Sequence, residues 1–138
     1  MRIGLRLWGP PLAWMAILFW LASSPPPASL PRWVGWDKVQ HAGAYGLLAA
    51  LLWRALRGTW PPLPSWGVFL GAACITSAYG ALTEVYQAFL PQRAAEGWDW
   101  VADTVGGLVA LMGLQARRRH QSEAILSIPF QEEESCPP

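Results

Sequence analysis

The sequence predicts an all-α fold, a polytopic membrane protein built as a four-helix transmembrane bundle. The chain of 138 residues is 53% hydrophobic and only 14% charged, whereas soluble domains carry about a quarter charged residues. It contains ten tryptophans, a residue that collects at membrane interfaces because one end of its ring is apolar and the other is wet. Its apolar residues also fall into four runs that approach the length needed to cross a bilayer.

The four apolar runs are the predicted helices, and they cover residues 5–22, 39–56, 66–89 and 98–114. A spanning helix needs about 20 mostly apolar residues. The third run is long enough to cross with some tilt, and the other three are at the short end. One transmembrane domain is therefore predicted over residues 1–115.

The first run, residues 5–22, has a second interpretation as a cleavable signal peptide. Arg2 and Arg6 precede or begin it and "LASS" ends it, the order of charged, apolar and small residues found in such leaders. Pro10 and Pro11 lie early in the run, where a helix can begin. The link that follows, "SPPPASLP", is predicted to be stiff and extended because proline cannot continue a helix.

The basic residues predict the orientation of the bundle. If the N-terminus is cytoplasmic, seven basic residues lie inside and three lie outside, as the positive-inside rule requires, and the opposite orientation reverses that count. Both termini are therefore predicted to be cytoplasmic. The inner set is Arg2, Arg6, Arg54, Arg57, Arg117, Arg118 and Arg119, and the outer set is Arg32, Lys38 and Arg93.

The end of the chain, residues 116–138, is predicted to be a disordered cytoplasmic tail. It starts basic and ends in "QEEESCPP", and such polar segments bury too little apolar surface to fold alone. Cys136 lies in this tail and Cys74 lies in the third run, which argues against a disulfide between them.

Polar side chains from three runs meet in one predicted layer at the outer, extracytoplasmic end of the bundle. Asp37, His41 and Tyr45 recur every four residues on one helix face, and Asp99 and Asp103 repeat that spacing in the fourth run. A carboxylate inside a membrane costs on the order of 2 to 3 kcal/mol unless it is paired or hydrated. We therefore expect these groups to contact one another.

The third run adds two polar residues to this layer. Ala73, Ser77 and Gly80 recur at spacings of three and four, and Glu84 and Gln87 continue the same stripe. Because small residues mark close helix contacts in membranes, Glu84 and Gln87 are also predicted to point into the bundle.

Three stretches of the sequence resemble the VanZ-like family of bacterial integral membrane proteins. "WDKVQHAGAYGLLAALL" resembles the family signature D-K-x-x-H-x-x-x-Y, and "TEVYQAFLPQRAAEGWDWVADTVGG" resembles its E-x-x-Q-x-F-x-P-x-R, D-x-x-x-N-x-x-G region. "FWLASSPPP" is similar to the end of the family's first span. The chain departs from the pattern at Asp103, where the family usually has Asn, and at Ala110, where a second Gly is common.

The resemblance implies a small multi-pass protein of the bacterial inner (plasma) membrane with about four helices, so that residues 1–115 form a VanZ-like domain. The family is named for an accessory protein in resistance to the glycopeptide antibiotic teicoplanin, which implies a role in the cell envelope. By position, the family signature falls on Asp37, Lys38, His41, Tyr45, Glu84, Gln87, Phe89, Pro91, Arg93, Asp99, Asp103 and Gly106.

The polar layer and the resemblance together predict a ligand-binding site that opens to the outer leaflet. Intramembrane ionisable residues are functional candidates by default. Lys38 and Arg93 are expected to bind phosphate, and the carboxylates are expected to orient these bases and His41. The expected partner is a membrane lipid headgroup or a lipid-linked cell-wall precursor. The predicted ligand-binding residues are Asp37, Lys38, His41, Tyr45, Glu84, Gln87, Arg93, Asp99 and Asp103.

The sequence leaves other interpretations of the polar layer open. It could be a purely structural network that fixes helix register in a small membrane scaffold protein. It could also serve an intramembrane enzyme with His41, Glu84 and Asp103 as acid and base, where carboxylates with one His could hold Mg²⁺ or Mn²⁺. A proton-coupled carrier is a further alternative.

Several features of the sequence limit these alternatives. No nucleophile or catalytic motif is visible, so no catalytic residue, cofactor or metal is assigned. Whether the chain forms a homo-oligomer stays open. A net charge of +1 without a basic cluster that contains aromatics predicts no nucleic-acid partner.

Overall fold

The structure, a computed structural model, describes residues 2–25, 35–91 and 95–126. These residues form four α-helices and no strand, which confirms the all-α prediction and the number of helices in the described part of the chain. The helices are α1 (Arg2–Ser23), α2 (Trp36–Thr59), α3 (Ser65–Gln87) and α4 (Gly97–Leu126), one for each predicted apolar run.

Helix α2 lies at the centre of the bundle and contacts the other three helices, α4 most extensively. The closest approach between α2 and α4 is at Gly106, where an added Cβ atom would overlap the backbone of Ala42. Gly46 lies one turn further along α2, and a Cβ there would come within 3.2 Å of the Gly106 carbonyl oxygen. Small residues therefore let the backbones of α2 and α4 touch.

The apolar core lies toward the end of the bundle where α2 connects to α3. Its fully buried side chains come from the second half of α2, the first half of α3 and the middle of α4, and they include Leu48, Leu52, Val68, Ala72 and Leu111. The polar layer lies at the opposite end, where α2 and α4 begin and α3 ends. The two ends of the bundle therefore have different chemistry.

Helix α1 differs from the prediction at its prolines, because Pro10 and Pro11 lie inside the helix rather than at its start. Pro10 has no amide hydrogen to donate to the carbonyl of Arg6 in the preceding turn. Arg54 of α2 donates to that carbonyl oxygen instead, from Nη2 at 3.2 Å. A neighbouring helix thus supplies the hydrogen bond that proline removes.

Two further hydrogen bonds attach α1 to the bundle. The indole Nε1 of Trp14 donates to the carbonyl oxygen of Ala44 at 2.9 Å. The hydroxyl of Tyr79 in α3 donates to the carbonyl oxygen of Met15 at 2.6 Å. In this structure α1 therefore packs against both α2 and α3.

Two of the helices are long and apolar enough to cross a membrane, over Gly4–Ser23 in α1 and Ser65–Gln87 in α3. The other two carry more charge, since α2 contains Asp37, Lys38 and two arginines, and α4 contains two aspartates and three arginines. All four helices nevertheless present large apolar side chains on the outside of the bundle. Examples are Leu12, Trp20, Leu47, Leu82 and Val109.

Helix α4 continues to Leu126, whereas the sequence analysis ends the fourth run at residue 114 and begins a disordered tail at residue 116. Hydropathy drops at the arginines, but residues such as Gln, Ala and Arg are good helix formers and extend the helix. His120 Nδ1 lies 3.7 Å from the Glu123 carboxylate one turn later, a spacing that supports an exposed helix. The rest of the predicted tail, residues 127–138, lies outside the described residues.

Candidate functional site

The predicted polar layer is assembled from the first turns of α2, the last turns of α3 and the first turns of α4. These three helix ends meet because α3 runs antiparallel to both α2 and α4. Of the nine predicted ligand-binding residues, Arg93 lies outside the described residues. The other eight lie at this end of the bundle, and five of them form one connected cluster, which we name the acidic cluster: Asp37, Lys38, His41, Asp99 and Asp103.

Lys38 is the cation at the centre of the acidic cluster. Its ammonium nitrogen lies 3.3 Å from Asp37 Oδ2 and 2.9 Å from Glu96 Oε2, and it also donates a hydrogen bond to Asp99 Oδ1. Asp37 and Glu96 are mostly exposed, whereas the side chain of Asp99 is only 11% exposed. The contact between Lys38 and Asp99 is therefore mostly buried, whereas the contacts with Asp37 and Glu96 lie at the surface.

His41 connects Lys38's partners to the interior of the bundle. Its Nδ1 lies 2.9 Å from Asp103 Oδ1. When Asp103 is ionised it can only accept, so Nδ1 donates the proton, and in a neutral ring the lone pair is then on Nε2. That Nε2 atom faces Asp37 Oδ1 at 3.9 Å and Asp99 Oδ2 at 3.7 Å, distances longer than hydrogen bonds.

Asp103 is the most deeply buried carboxylate of the cluster, with 0% exposure. Its Oδ1 atom is satisfied by His41, but its Oδ2 atom has no hydrogen-bond partner among the described residues. Oδ2 lies beside Gly80 of α3, where an added Cβ would come within 3.0 Å of it. Gly80 therefore makes the space that this carboxylate occupies.

The three remaining predicted residues contact neighbours outside the acidic cluster. Glu84 Oε2 accepts a hydrogen bond from the backbone N–H of Glu96 at 3.0 Å, just before α4 begins. The Tyr45 hydroxyl lies 2.7 Å from Thr83 Oγ1, and Gln87 Nε2 donates to a carbonyl oxygen of α1 at 3.4 Å. Each of these contacts connects one helix to another helix or to the residue before it, so the three side chains help to hold the helices together.

Sequence reasoning missed Glu96 and Thr83. Glu96 could have been found from its position three residues before Asp99, where the chain enters α4. Thr83 gives no such signal, because its contact with Tyr45 depends on how α2 and α3 are rotated against each other.

A groove of about 410 Å³ opens beside the acidic cluster, between α2 and α4. Lys38 belongs to both the groove and the cluster. The rest of the groove is lined by apolar side chains, which are Val39 and Ala42 of α2 and Trp98, Val101, Ala102 and Val105 of α4. The groove is therefore apolar, and it meets the charged side chains of the acidic cluster at Lys38.

The acidic cluster also has the composition of a cation site. Asp37, His41 and Asp99 each offer one ligand atom, and these three atoms lie within 4.8 Å of one another. No metal is assigned from the sequence, although Mg²⁺ or Mn²⁺ held by carboxylates with one His is among its open alternatives.

Comparisons with protein-family models, with curated proteins and with solved structures found no match for this chain. The resemblance to the VanZ-like family depends on the three quoted sequence stretches alone.

Proposed function

We propose that the protein is a VanZ-like, multi-pass protein of the bacterial inner membrane that binds a phosphate-bearing envelope lipid or a lipid-linked cell-wall precursor. In this proposal all four helices cross the membrane, both termini are cytoplasmic, and the acidic cluster faces the extracytoplasmic side. The observation that carries it is the apolar groove between α2 and α4, which meets the acidic cluster at Lys38.

A membrane location is supported by the outer surface of the helices. Large apolar side chains such as Trp20, Leu82 and Val109 are more than half exposed. Soluble proteins rarely expose such contiguous apolar surface, whereas lipid tails cover it without cost. The arginine distribution favours the orientation with the acidic cluster outside.

The groove suits an amphiphile because its two parts match the two parts of a lipid. An acyl or polyprenyl chain would lie against Val101 and Val105, and the phosphate would lie at Lys38. Asp37 and Glu96, which contact Lys38 from exposed positions, can move aside at little cost because exposed ion pairs contribute only about 0 to 1 kcal/mol. Asp99 would stay in place and hold the ammonium group in position.

The proposal is tested by lipid binding to the purified full chain in detergent. The probes are a polyprenyl monophosphate and the polyprenol with the same chain but no phosphate. We expect saturable retention of the phosphate lipid only, weakened at least tenfold by Lys38→Met. Arg57→Gln is the matched control, because Arg57 is a cation at the other end of the bundle that bonds only Ser65 among the described residues.

Two results would contradict lipid binding at this site. Equal retention of both probes, or no effect of Lys38→Met, would favour the structural network as the role of the polar layer. Inorganic phosphate is measured in the same samples. Its release at a rate that depends on His41 would show that the protein is an enzyme rather than a binder.

A further inference from the structure

We propose that Asp37, His41 and Asp99 bind a divalent transition-metal ion, with Zn²⁺ as the best-fitting ion. Lys38 occupies one oxygen of each carboxylate, Oδ2 of Asp37 and Oδ1 of Asp99. The other oxygen of each carboxylate faces His41 Nε2, at 3.9 Å for Asp37 and 3.7 Å for Asp99. Two carboxylate oxygens and one imidazole nitrogen thus converge, and none of the three is hydrogen-bonded among the described residues.

The spacing of these atoms is close to that of a zinc site. Zinc binds histidine nitrogen and carboxylate oxygen at about 2.0 to 2.2 Å, so ligand atoms in a tetrahedral site are about 3.4 Å apart. The separations of 3.9 and 3.7 Å from His41 Nε2 exceed that by a few tenths of an ångström, and one ligand atom from each of the three residues lies within 4.8 Å of the others. Asp37 is largely exposed and free to close this gap by a small rotation of its side chain.

Metal-binding histidines usually donate a hydrogen bond from the ring nitrogen that does not bind the metal, and Asp103 is the acceptor for His41. It accepts the Nδ1 proton of His41 at 2.9 Å, which orients the ring and leaves the Nε2 lone pair for the metal. The Asp103 side chain is 1% exposed, so this contact is fixed inside the bundle. Its Oδ2 atom lies beside Gly80 of α3 and takes no part in the proposed site.

The balance of charge and ligand type selects the kind of ion. Three carboxylates, from Asp37, Glu96 and Asp99, contact the Lys38 ammonium group, and a fourth, from Asp103, contacts His41. The carboxylates outnumber the one ammonium group, which favours a divalent cation. The imidazole ligand favours zinc and its neighbours over calcium and magnesium, which prefer oxygen ligands. Three protein ligands would leave a fourth coordination position for water or another ligand.

The test measures metal binding to the full chain, purified in detergent and stripped of metal with a chelator. Zn²⁺ is titrated by calorimetry, and Co²⁺ is added in parallel because tetrahedral Co²⁺ absorbs visible light. We expect one strong site per chain, weakened at least tenfold in His41→Gln and in Asp37→Asn, together with loss of the Co²⁺ absorption. His120→Gln is the matched control, since His120 also faces a carboxylate but is 83% exposed and lies near the end of α4.

Three results would overturn the proposal. These are no Zn²⁺ binding by the wild-type chain, equal binding by His41→Gln, or a loss in His120→Gln as large as in His41→Gln. If His41→Gln does not fold, Asp37→Asn decides the question, because the side chain of Asp37 is 62% exposed and its replacement leaves the core intact. The titration contains no phosphate lipid, so its outcome is separate from that of the lipid-binding proposal.

Discussion

Asp103 has two carboxylate oxygens in different surroundings. Oδ1 accepts a hydrogen bond from His41, and Oδ2 is buried beside Gly80 without a partner among the described residues. Burying a carboxyl oxygen without a hydrogen-bond partner lowers the stability of the fold. Residues kept at such a cost are typical of functional sites rather than of structural ones.

We expect Asp103→Asn to unfold at the same temperature as the wild type or at a higher one. The amide oxygen still accepts the His41 proton, and the buried charge is removed. Asp103→Leu should unfold at a lower temperature, because the His41 N–H loses its acceptor at a cost of about 1 to 3 kcal/mol. Thermal unfolding in detergent compares the three proteins. If the unfolding temperature of Asp103→Asn falls as far as that of Asp103→Leu, the charge itself stabilises the fold.

At the level of the helices, the acidic cluster depends on the contact between α2 and α4. Lys38 and His41 are on α2, and their partners Asp99 and Asp103 are on α4. The two backbones touch at Gly106, about one turn beyond Asp103. Any change that separates the helices there also separates the ion pairs.

Gly106→Ala should therefore destabilise the protein by about 1 to 3 kcal/mol or more, since its Cβ would overlap the backbone of Ala42. Gly113→Ala, in the same helix, is the control. A Cβ at Gly113 meets nothing within 4 Å, and alanine is the better helix former by about 1 kcal/mol. The unfolding temperature should therefore be lower than that of the wild type for Gly106→Ala, and equal or higher for Gly113→Ala. An equal response of the two variants would contradict the close contact.

The existence and order of the helices could be predicted, because each is a run of apolar residues bounded by proline, glycine or charge. The end of α4 could not be predicted from hydropathy, because the helix continues after the apolar run stops. For the site, topology predicts which residues share a layer. It does not predict that Lys38 contacts Glu96, or that His41 faces Asp103, because those pairs depend on helix rotation.

On the scale of the whole molecule, the proposed topology places the α2–α3 turn in the cytoplasm and the start of α4 outside. Single cysteines at Pro61 and at Ala95 report on these two ends in a chain with Cys74→Ser and Cys136→Ser. In intact spheroplasts, a membrane-impermeant maleimide should label Ala95→Cys and not Pro61→Cys. Lysis should make both reactive.

The labelling pattern separates the alternatives to this topology. The reverse pattern would mean that the acidic cluster faces the cytoplasm. If α1 and α3 alone cross the membrane, the two helices that are apolar enough by composition, the reverse pattern is also expected. Labelling of both sites in intact spheroplasts would mean that α3, which separates them, does not cross the membrane.

The groove between α2 and α4 opens sideways, with Val101 and Val105 on its wall. In a bilayer, a lipid could enter it from the leaflet without passing through water. Occupancy would then follow the mole fraction of the lipid in the outer leaflet rather than its concentration in bulk solution. A scarce lipid carrier could be bound in proportion to its share of the membrane, so that the protein would sense the composition of its own surroundings.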